Sequence, residues 1–263
     1  MLLKGKKVLV AGVANRSSIA WAIAEAILRE GGQVALTYQN QRLEARVREL
    51  AESVDPKLPC YELDASNSEQ TAAVAAEIGK DWGSLDGLVH SIAFAQKEDL
   101  TPGILKTSLE GWNMALHVSA YTLVELTRAM MPLLEKSESG SVLTLTYDTA
   151  KVYPNYNVMG IAKATLEAAM RYACWDAGQK QVRVNAVSAG PIKTLAARGI
   201  SGFGKMLEEG ARKSPMGRNV GADEVGNAAA FLLSPHASGI TGQVIYVDAG
   251  QSIMGVSAAE PSG

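Results

Sequence analysis

Two side chains stand out for the chemistry their spacing allows. Tyr156 and Lys163 lie seven residues apart in the stretch PNYNVMGIAKATLEA. On an α-helix seven residues turn about 700°, so both fall within about 20° of one face, about 10.5 Å apart along the axis. They can face one bound ligand without touching. The lysine would hold ribose hydroxyls while its charge favours a polarised, hydrogen-bonding tyrosine, and the tyrosine would stabilise an oxyanion. An aromatic residue and a solvated lysine on one helix would have the same spacing. Tyr147 and Lys151 form a second pair, matching a Tyr-x3-Lys spacing. Such a pair needs one continuous helix, and Pro154 disfavours helix at Tyr153. Tyr153 itself reads as a packing residue.

A nucleotide site is suggested further upstream. The run KVLVAG ends in Gly12 and is followed by VANRSSIA and a helical pattern. In an open α/β sheet the first strand–helix turn is where a dinucleotide pyrophosphate meets backbone amides and a helix N-terminus. Ser17 and Ser18 suit the cap of that helix, and a serine hydroxyl can also meet a phosphate. A full GxGxxG is absent, because Ala14 stands where a second glycine would be. Asp64 ends the third strand, where a carboxylate can accept from an adenine amino group. Ser91, Ile92 and Ala93 end the fourth, where backbone can line a cofactor cleft. The second strand ends at neutral Gln39, and the nearest base is Arg42. With no arginine directly at the strand end to receive a 2′-phosphate, NADH is favoured over NADPH.

These residues need a frame to hold them. Short β-branched runs occur at 7–13, 33–38, 58–63, 87–92, 141–147, 182–187 and 243–247, several of them apolar at consecutive positions, as in strands buried on both faces. Between them lie helical patterns at 18–30, 40–53, 66–80, 108–136, 156–177 and 222–233. This alternation predicts a single Rossmann-like, doubly wound α/β domain: a seven-stranded parallel sheet with helices on both faces. The segment 190–217, rich in glycine and proline with an amphipathic piece around 206–212, reads as a substrate-binding lid over about 191–217. The last residues, about 256–263, read as a frayed tail. No linker divides the 263 residues, so one domain is expected over 1–263.

Composition narrows the function classes. With 25 Lys+Arg against 27 Asp+Glu the net charge is −2, which argues against a general nucleic-acid binder. No run approaches the ~18 apolar residues of a membrane span, and a soluble, cytoplasmic protein is expected. Cys60 and Cys174 are isolated and read as small buried residues rather than a disulfide or zinc site. His90, His117 and His236 have no mutual metal spacing, so no metal is expected. The four tryptophans and the Met130–Met131 pair read as packing residues. Glycine, 25 residues in all, exceeds the usual share of about 7% and is spread along the chain, as in a protein with many tight turns.

From Leu3 to Met254 the sequence resembles the NADH-dependent enoyl-acyl-carrier-protein reductases of bacterial type II fatty-acid synthesis, a divergent branch of the short-chain dehydrogenase/reductases. The carriers are GVANRSSIAWAIA, TYQN, HSIAFA, LTLTY, PNYNVMGIAKATLEA, RVNAVSAGPIKTLAARGI and SGITGQVIYVDAG. The resemblance implies hydride transfer from NADH to C3 of a trans-2-enoyl thioester on acyl carrier protein, with Tyr156 on the enolate oxygen, Lys163 on the nicotinamide ribose and protonation at C2. Tyr147 resembles the family's second site tyrosine. By the same resemblance, cofactor contacts fall on Gly12, Ala14, Ser18, Ile19, Gln39, Asp64, Ala65, Ser91, Ile92, Ala93, Val118, Lys163, Ala189, Pro191, Ile192 and Thr194. The acyl pocket falls on Phe94, Ala95, Leu100, Tyr147, Tyr156, Met159, Ile200, Phe203 and Met206. A homotetramer is implied, with the helices around 108–136 and 156–177 between subunits.

The chain departs from the family pattern in two places. Tyr147 precedes Tyr156 by nine residues where relatives usually have ten. Ser201 and Gly204 stand where relatives often carry bases, leaving Lys205, with Arg198, Arg212 and Lys213 as other candidates for meeting the acidic carrier. Two rival readings remain. A 3-oxoacyl or ketone reductase predicts a TGxxxGxG turn, an NAG-like fourth strand end and Tyr-x3-Lys, whereas this chain has AGVANRS, HSIAFA and Tyr-x6-Lys. A binding-only regulator predicts NADH binding without turnover.

Overall fold

A computed structural model describes residues 1–101, 103–195, 197 and 201–255. The first half of the chain runs β1 (Lys7–Ala11), α1 (Ile19–Arg29), β2 (Gln33–Tyr38), α2 (Gln41–Glu52), β3 (Cys60–Glu62), α3 (Ser68–Trp82) and β4 (Gly87–His90). It continues through α4 (Lys97–Leu100), α5 (Leu109–Leu116), α6 (Thr122–Leu134), β5 (Ser141–Thr146) and α7 (Asn157–Gly178). β6 (Arg183–Ala189), α8 (Phe203–Lys213), α9 (Ala222–Leu233) and β7 (Val244–Val247) complete it.

The seven strands form one sheet in the order β3-β2-β1-β4-β5-β6-β7, and every pairing is parallel. Strand residues alternate between faces, so β1 sends Val8 and Val10 into one core and Leu9 into the other. The first core holds Trp21 and Ile23 of α1 with Val225 and Leu233 of α9. The second holds Ile78 of α3, Leu126 of α6 and Met170 of α7. Every residue of β4, β5 and β6 is buried, as expected of central strands covered on both faces, and their polar members such as His90, Thr144 and Asn185 are buried with the rest. The order of connection reverses between β1 and β4, and in such sheets the crevice at that reversal receives the ligand.

The expected elements are present, with informative differences. The segment 108–136 is not one helix. A π-helical turn, His117–Tyr121, separates α5 from α6. No glycine or proline marks the turn, so the sequence carries no breaker signal there. The short α4 was not anticipated. Cys60 and Cys174 are free but half-buried rather than fully buried. Trp175 is not a packing residue within this chain, being 72% exposed. The tail at 256–263 lies outside the described residues.

Candidate active site

The crevice begins where β1 ends. Gly12 has φ +96°, and its amide donates to Thr37 Oγ1 at 3.2 Å. A Cβ on Gly12 would sit 2.3 Å from the carbonyl oxygen of Ser91, just past β4. The two strand ends at the reversal are therefore in backbone contact, and only glycine permits it. Ser18 caps α1 in extended conformation, yet its hydroxyl donates backwards to the Asn15 carbonyl at 2.6 Å rather than serving as acceptor for the helix. The first amides of α1 have no side-chain cap, and together with the helix dipole they suit a phosphate.

Two clefts gather further expected cofactor residues. One of about 820 Å³ is lined by Gln39, Asp64, Ser66, Phe94 and Val118 among others. A smaller one of about 330 Å³ lies against Ser17, Thr194, Arg16, Arg46 and Lys193. Asp64 is held in place because its Oδ1 accepts from the Ser66 amide at 3.0 Å and from the Ser66 hydroxyl at 2.6 Å. Ala65 and Ala189 are buried beside these strand ends, and Ile19 and Ile192 pack on the core. Val118 belongs to the π turn. Its neighbour Ser119 is fully buried and bonds both the amide and the carbonyl of Phe94, at 3.0 and 3.1 Å. The turn thus fixes the chain leaving β4. Ser119 has no sequence signal, since its bonds depend on a π turn that no glycine or proline marks. The backbone seat, the uncapped helix and the neutral Gln39 together fit a dinucleotide.

Tyr156 stands immediately before α7, between two residues with left-handed backbone, Asn155 (φ +65°) and Asn157 (φ +36°). Asparagine tolerates this region better than other side chains. Both asparagines also tie the site together: Asn155 Nδ2 donates to Ser201 O at 3.1 Å, and Asn157 Nδ2 donates to Leu100 O. The Tyr156 ring meets that of Tyr147 edge-on, with centroids 5.5 Å apart. Burial, then the neighbouring Tyr147, holds the Tyr156 phenol above its ordinary pKa. It therefore remains a protonated hydrogen-bond donor at neutral pH. The Tyr147 hydroxyl is buried with no hydrogen-bond partner among the described residues.

Lys163 is 7% exposed and donates to the Leu145 carbonyl of β5 at 2.7 Å. Burial pulls its ammonium down to about 8, with the charge of Glu167 opposing. No bond joins it to Tyr156 among the described residues. His90, one of the histidines tested for metal spacing, is buried and bonded to Thr144 and Thr122 at 2.9 Å each. Burial, reinforced by the Lys163 charge, pulls it down to about 3, so it is a neutral structural residue. No cluster able to hold a metal occurs among the described residues.

The Tyr147–Lys151 pair does not assemble. Lys151 turns to Asp148 at 3.1 Å and to the Ser252 carbonyl. Tyr153 does pack, 4.7 Å from the Tyr147 ring, and it also donates to Asp148 at 2.9 Å. Of the residues expected to line an acyl pocket, Leu100 and Met159 share a small apolar cluster, against which Ala95 and Tyr156 pack. Phe94, at 48% exposure, lies in the larger cleft with Gln39 and Asp64. Phe203 and Met206 are half-buried on α8, and Asn219 Nδ2 fastens that helix by donating to Leu207 O at 2.8 Å. Ile200 and Arg198 lie outside the described residues.

Fold and site define a dinucleotide-dependent oxidoreductase of the α/β type, with a small apolar cluster packed against its tyrosine. A family model described as enoyl-(acyl carrier protein) reductase matches residues 12–252. Enoyl-acyl-carrier-protein reductase (NADH) FabI of Aquifex aeolicus is 46% identical over 260 residues, 98% of this chain and 96% of that relative. Its namesake from Neisseria meningitidis is 46% identical over 257 residues, 97% of this chain and 98% of that one. The A. aeolicus crystal structure superposes with a TM-score of 0.94 at 46% identity, covering 97% of this chain and all of that one. The Anaplasma phagocytophilum enzyme in complex with NAD gives 0.93 at 42% identity over 98% of both chains. The chain belongs to the enoyl-acyl-carrier-protein reductase family.

Proposed function

We propose that Tyr156, Lys163 and Tyr147 are the residues with which this chain performs its family's reaction. That reaction is the NADH-dependent reduction of the C2–C3 double bond of trans-2-enoyl-acyl-carrier-protein thioesters, in fatty-acid elongation. Bound NADH supplies hydride to C3. Electron density then moves to the thioester oxygen, and the protonated Tyr156 donates to the resulting enolate. A donor already in place at a developing oxyanion lowers the barrier because it need not reorganise. Lys163 would hold the ribose hydroxyls, and Tyr147, whose ring meets that of Tyr156 edge-on, stands beside the oxyanion donor. A proton added at C2 completes the saturated acyl chain. The apolar cluster around Leu100 and Met159 would receive that chain, with the segment that carries α8 closing over it as a lid. The observation that carries this assignment is a protonated tyrosine at the cap of α7 with a buried lysine seven residues on in that helix, beside a small apolar cluster.

The discriminating assay mixes the protein with NADH and a crotonyl or longer enoyl thioester and follows the nicotinamide absorbance. NADPH and an acetoacetyl thioester run in parallel. Oxidation with the enoyl thioester and NADH is expected. Turnover of the oxo substrate alone would make the chain a 3-oxoacyl reductase, and NADH binding without any oxidation would make it a regulator. In the same assay Lys163→Ala is expected to weaken NADH binding at least about tenfold and to lower kcat, since it removes a charge-assisted bond worth about 1.5–3 kcal/mol. Unchanged NADH affinity would contradict the ribose role.

The assembly we infer is a homotetramer. Tyr172 and Trp175 stand 80% and 72% exposed on α7, with Tyr121 at 46% on the π turn that packs against that helix. A second apolar face comprises Phe231, Tyr246 and Ile253, beside β7 at the edge of the sheet. Apolar faces of this kind, one beside an unpaired edge, call for partners. Trp175→Glu and Tyr246→Glu are each expected to yield dimers in light scattering. A wild-type monomer would refute the assignment.

A further inference from the structure

Glu167 lies one turn beyond Lys163 on α7, and the reaction as described makes no use of it. It is only 7% exposed. Its Oε1 accepts from the Thr146 hydroxyl at 2.8 Å and its Oε2 from the Thr149 hydroxyl at 3.0 Å. Thr146 ends β5 and precedes Tyr147, and Thr149 lies in the loop that leads to Tyr156. Lys163 reaches the same strand through Leu145. Two successive turns of α7 therefore grip the end of β5, one through an ammonium and one through a carboxylate. An ionised carboxylate only accepts hydrogen bonds, and a buried one persists when its oxygens are satisfied. We propose that Glu167 is a positioning residue for the reaction: it braces the Tyr147 loop onto α7 and is the buried counter-charge that keeps Lys163 protonated for the cofactor ribose.

The surroundings leave Glu167 alone in that role. From β4, His90 faces Lys163 as a neutral ring. From the β5 loop, Asp148 is already engaged by Tyr153, Lys151 and the Ala150 amide. Tyr147 and Tyr156 are phenols held protonated by burial. From β7, Tyr246 feels Asp148, Glu167 and Asp248, with burial raising its phenol first. Among these groups, the field reaching the buried ammonium is that of Glu167. A buried ammonium whose hydrogen-bond partner is a neutral carbonyl loses its proton easily, and an opposing charge restores it.

The sign follows. Protonated Lys163 binds ribose, so NADH binding weakens as pH rises through the lysine pKa of about 8. Removing the Glu167 charge lowers that pKa and moves the loss to lower pH. The inference rests on the ribose role of Lys163, and the test separates the two. NADH dissociation constants and kcat/KM for NADH are measured from about pH 6 to 10 for wild type, Glu167→Gln, Thr149→Val and Lys163→Met. Glu167→Gln is expected to shift the alkaline limb down by about one pH unit, a roughly tenfold change in the proton concentration at the midpoint. Thr149→Val keeps the charge and drops one bond, so it is expected to lower kcat about threefold with the limb in place. Lys163→Met should abolish the limb. A limb lost in Lys163→Met but unmoved in a folded Glu167→Gln overturns the counter-charge. Wild-type kcat in Thr149→Val overturns the brace, including where Glu167→Gln does not fold. A limb that survives Lys163→Met removes the lysine assignment itself.

Discussion

Tyr156→Phe is expected to lower kcat with an enoyl thioester by about 10²–10³-fold while changing the NADH dissociation constant less than about threefold. The first figure is what removal of one oxyanion donor costs in a site closed to water. The second follows from position. The Tyr156 ring packs against the Leu100–Met159 cluster and meets Tyr147 edge-on, and phenylalanine preserves both contacts. Only the hydroxyl is lost, so stability should change little. Because burial and Tyr147 hold the phenol above its ordinary pKa, wild-type kcat should show no loss from phenol ionisation below about pH 9. Tyr147→Phe offers a comparison. Its ring meets that of Tyr156 and its hydroxyl is buried without a partner among the described residues, so if it served as the donor instead, Tyr147→Phe would show the large kcat loss and Tyr156→Phe would not. Wild-type turnover in Tyr156→Phe, measured by stopped flow to exclude a masking release step, would dismiss Tyr156 as the oxyanion donor.

How much of this was legible beforehand depended on the range of the interactions. The sheet was legible because its strands carry short β-branched runs that alternate with helical patterns, although β4, β5 and β6 also bury polar residues such as His90, Thr144 and Asn185. The end of β1 was legible through Gly12, but its reason was not. The contact that demands glycine is with Ser91, 79 positions away and brought close only by parallel pairing of β1 with β4. The asparagines on either side of Tyr156 were a readable sign of left-handed backbone that helical spacing overlooked. Spacing placed Tyr156 on the helix, whereas it sits at the cap, where two strained neighbours aim it.

Other parts of the site had no local signature. Ser119 owes its two bonds to a π turn that no glycine or proline marks. The grip of Glu167 on Thr146 and Thr149 joins residues 21 and 18 positions apart on different elements. His90 was weighed as a ligand, yet its two threonine partners come from β5 and α6 and leave no ring nitrogen free. In each case the residue types were visible, while the pairing waited on the sheet order.

Gly12→Ala is expected to raise the NADH dissociation constant at least about a hundredfold. Two costs combine. Alanine at φ +96° costs about 1–2 kcal/mol in backbone strain. The new Cβ would also sit 2.3 Å from Ser91 O and 3.1 Å from Ile92 Cγ1. No side-chain rotation relieves a clash with a carbonyl, so either the turn leaves β1 or the chain after β4 moves away. Both movements open the crevice at the sheet reversal, where the pyrophosphate and the Ser91–Ala93 backbone should meet. Gly83→Ala separates the two costs. Gly83 ends α3 with φ +71°, and a Cβ there meets nothing within 4 Å. It should therefore lose stability by about 1 kcal/mol with NADH binding intact. Calorimetric titration of both variants, with circular dichroism to confirm the fold, decides the matter. A Gly12→Ala protein that binds NADH as Gly83→Ala does would mean that the first turn is an ordinary strand–helix connection, and the dinucleotide would have to be seated elsewhere along the strand ends.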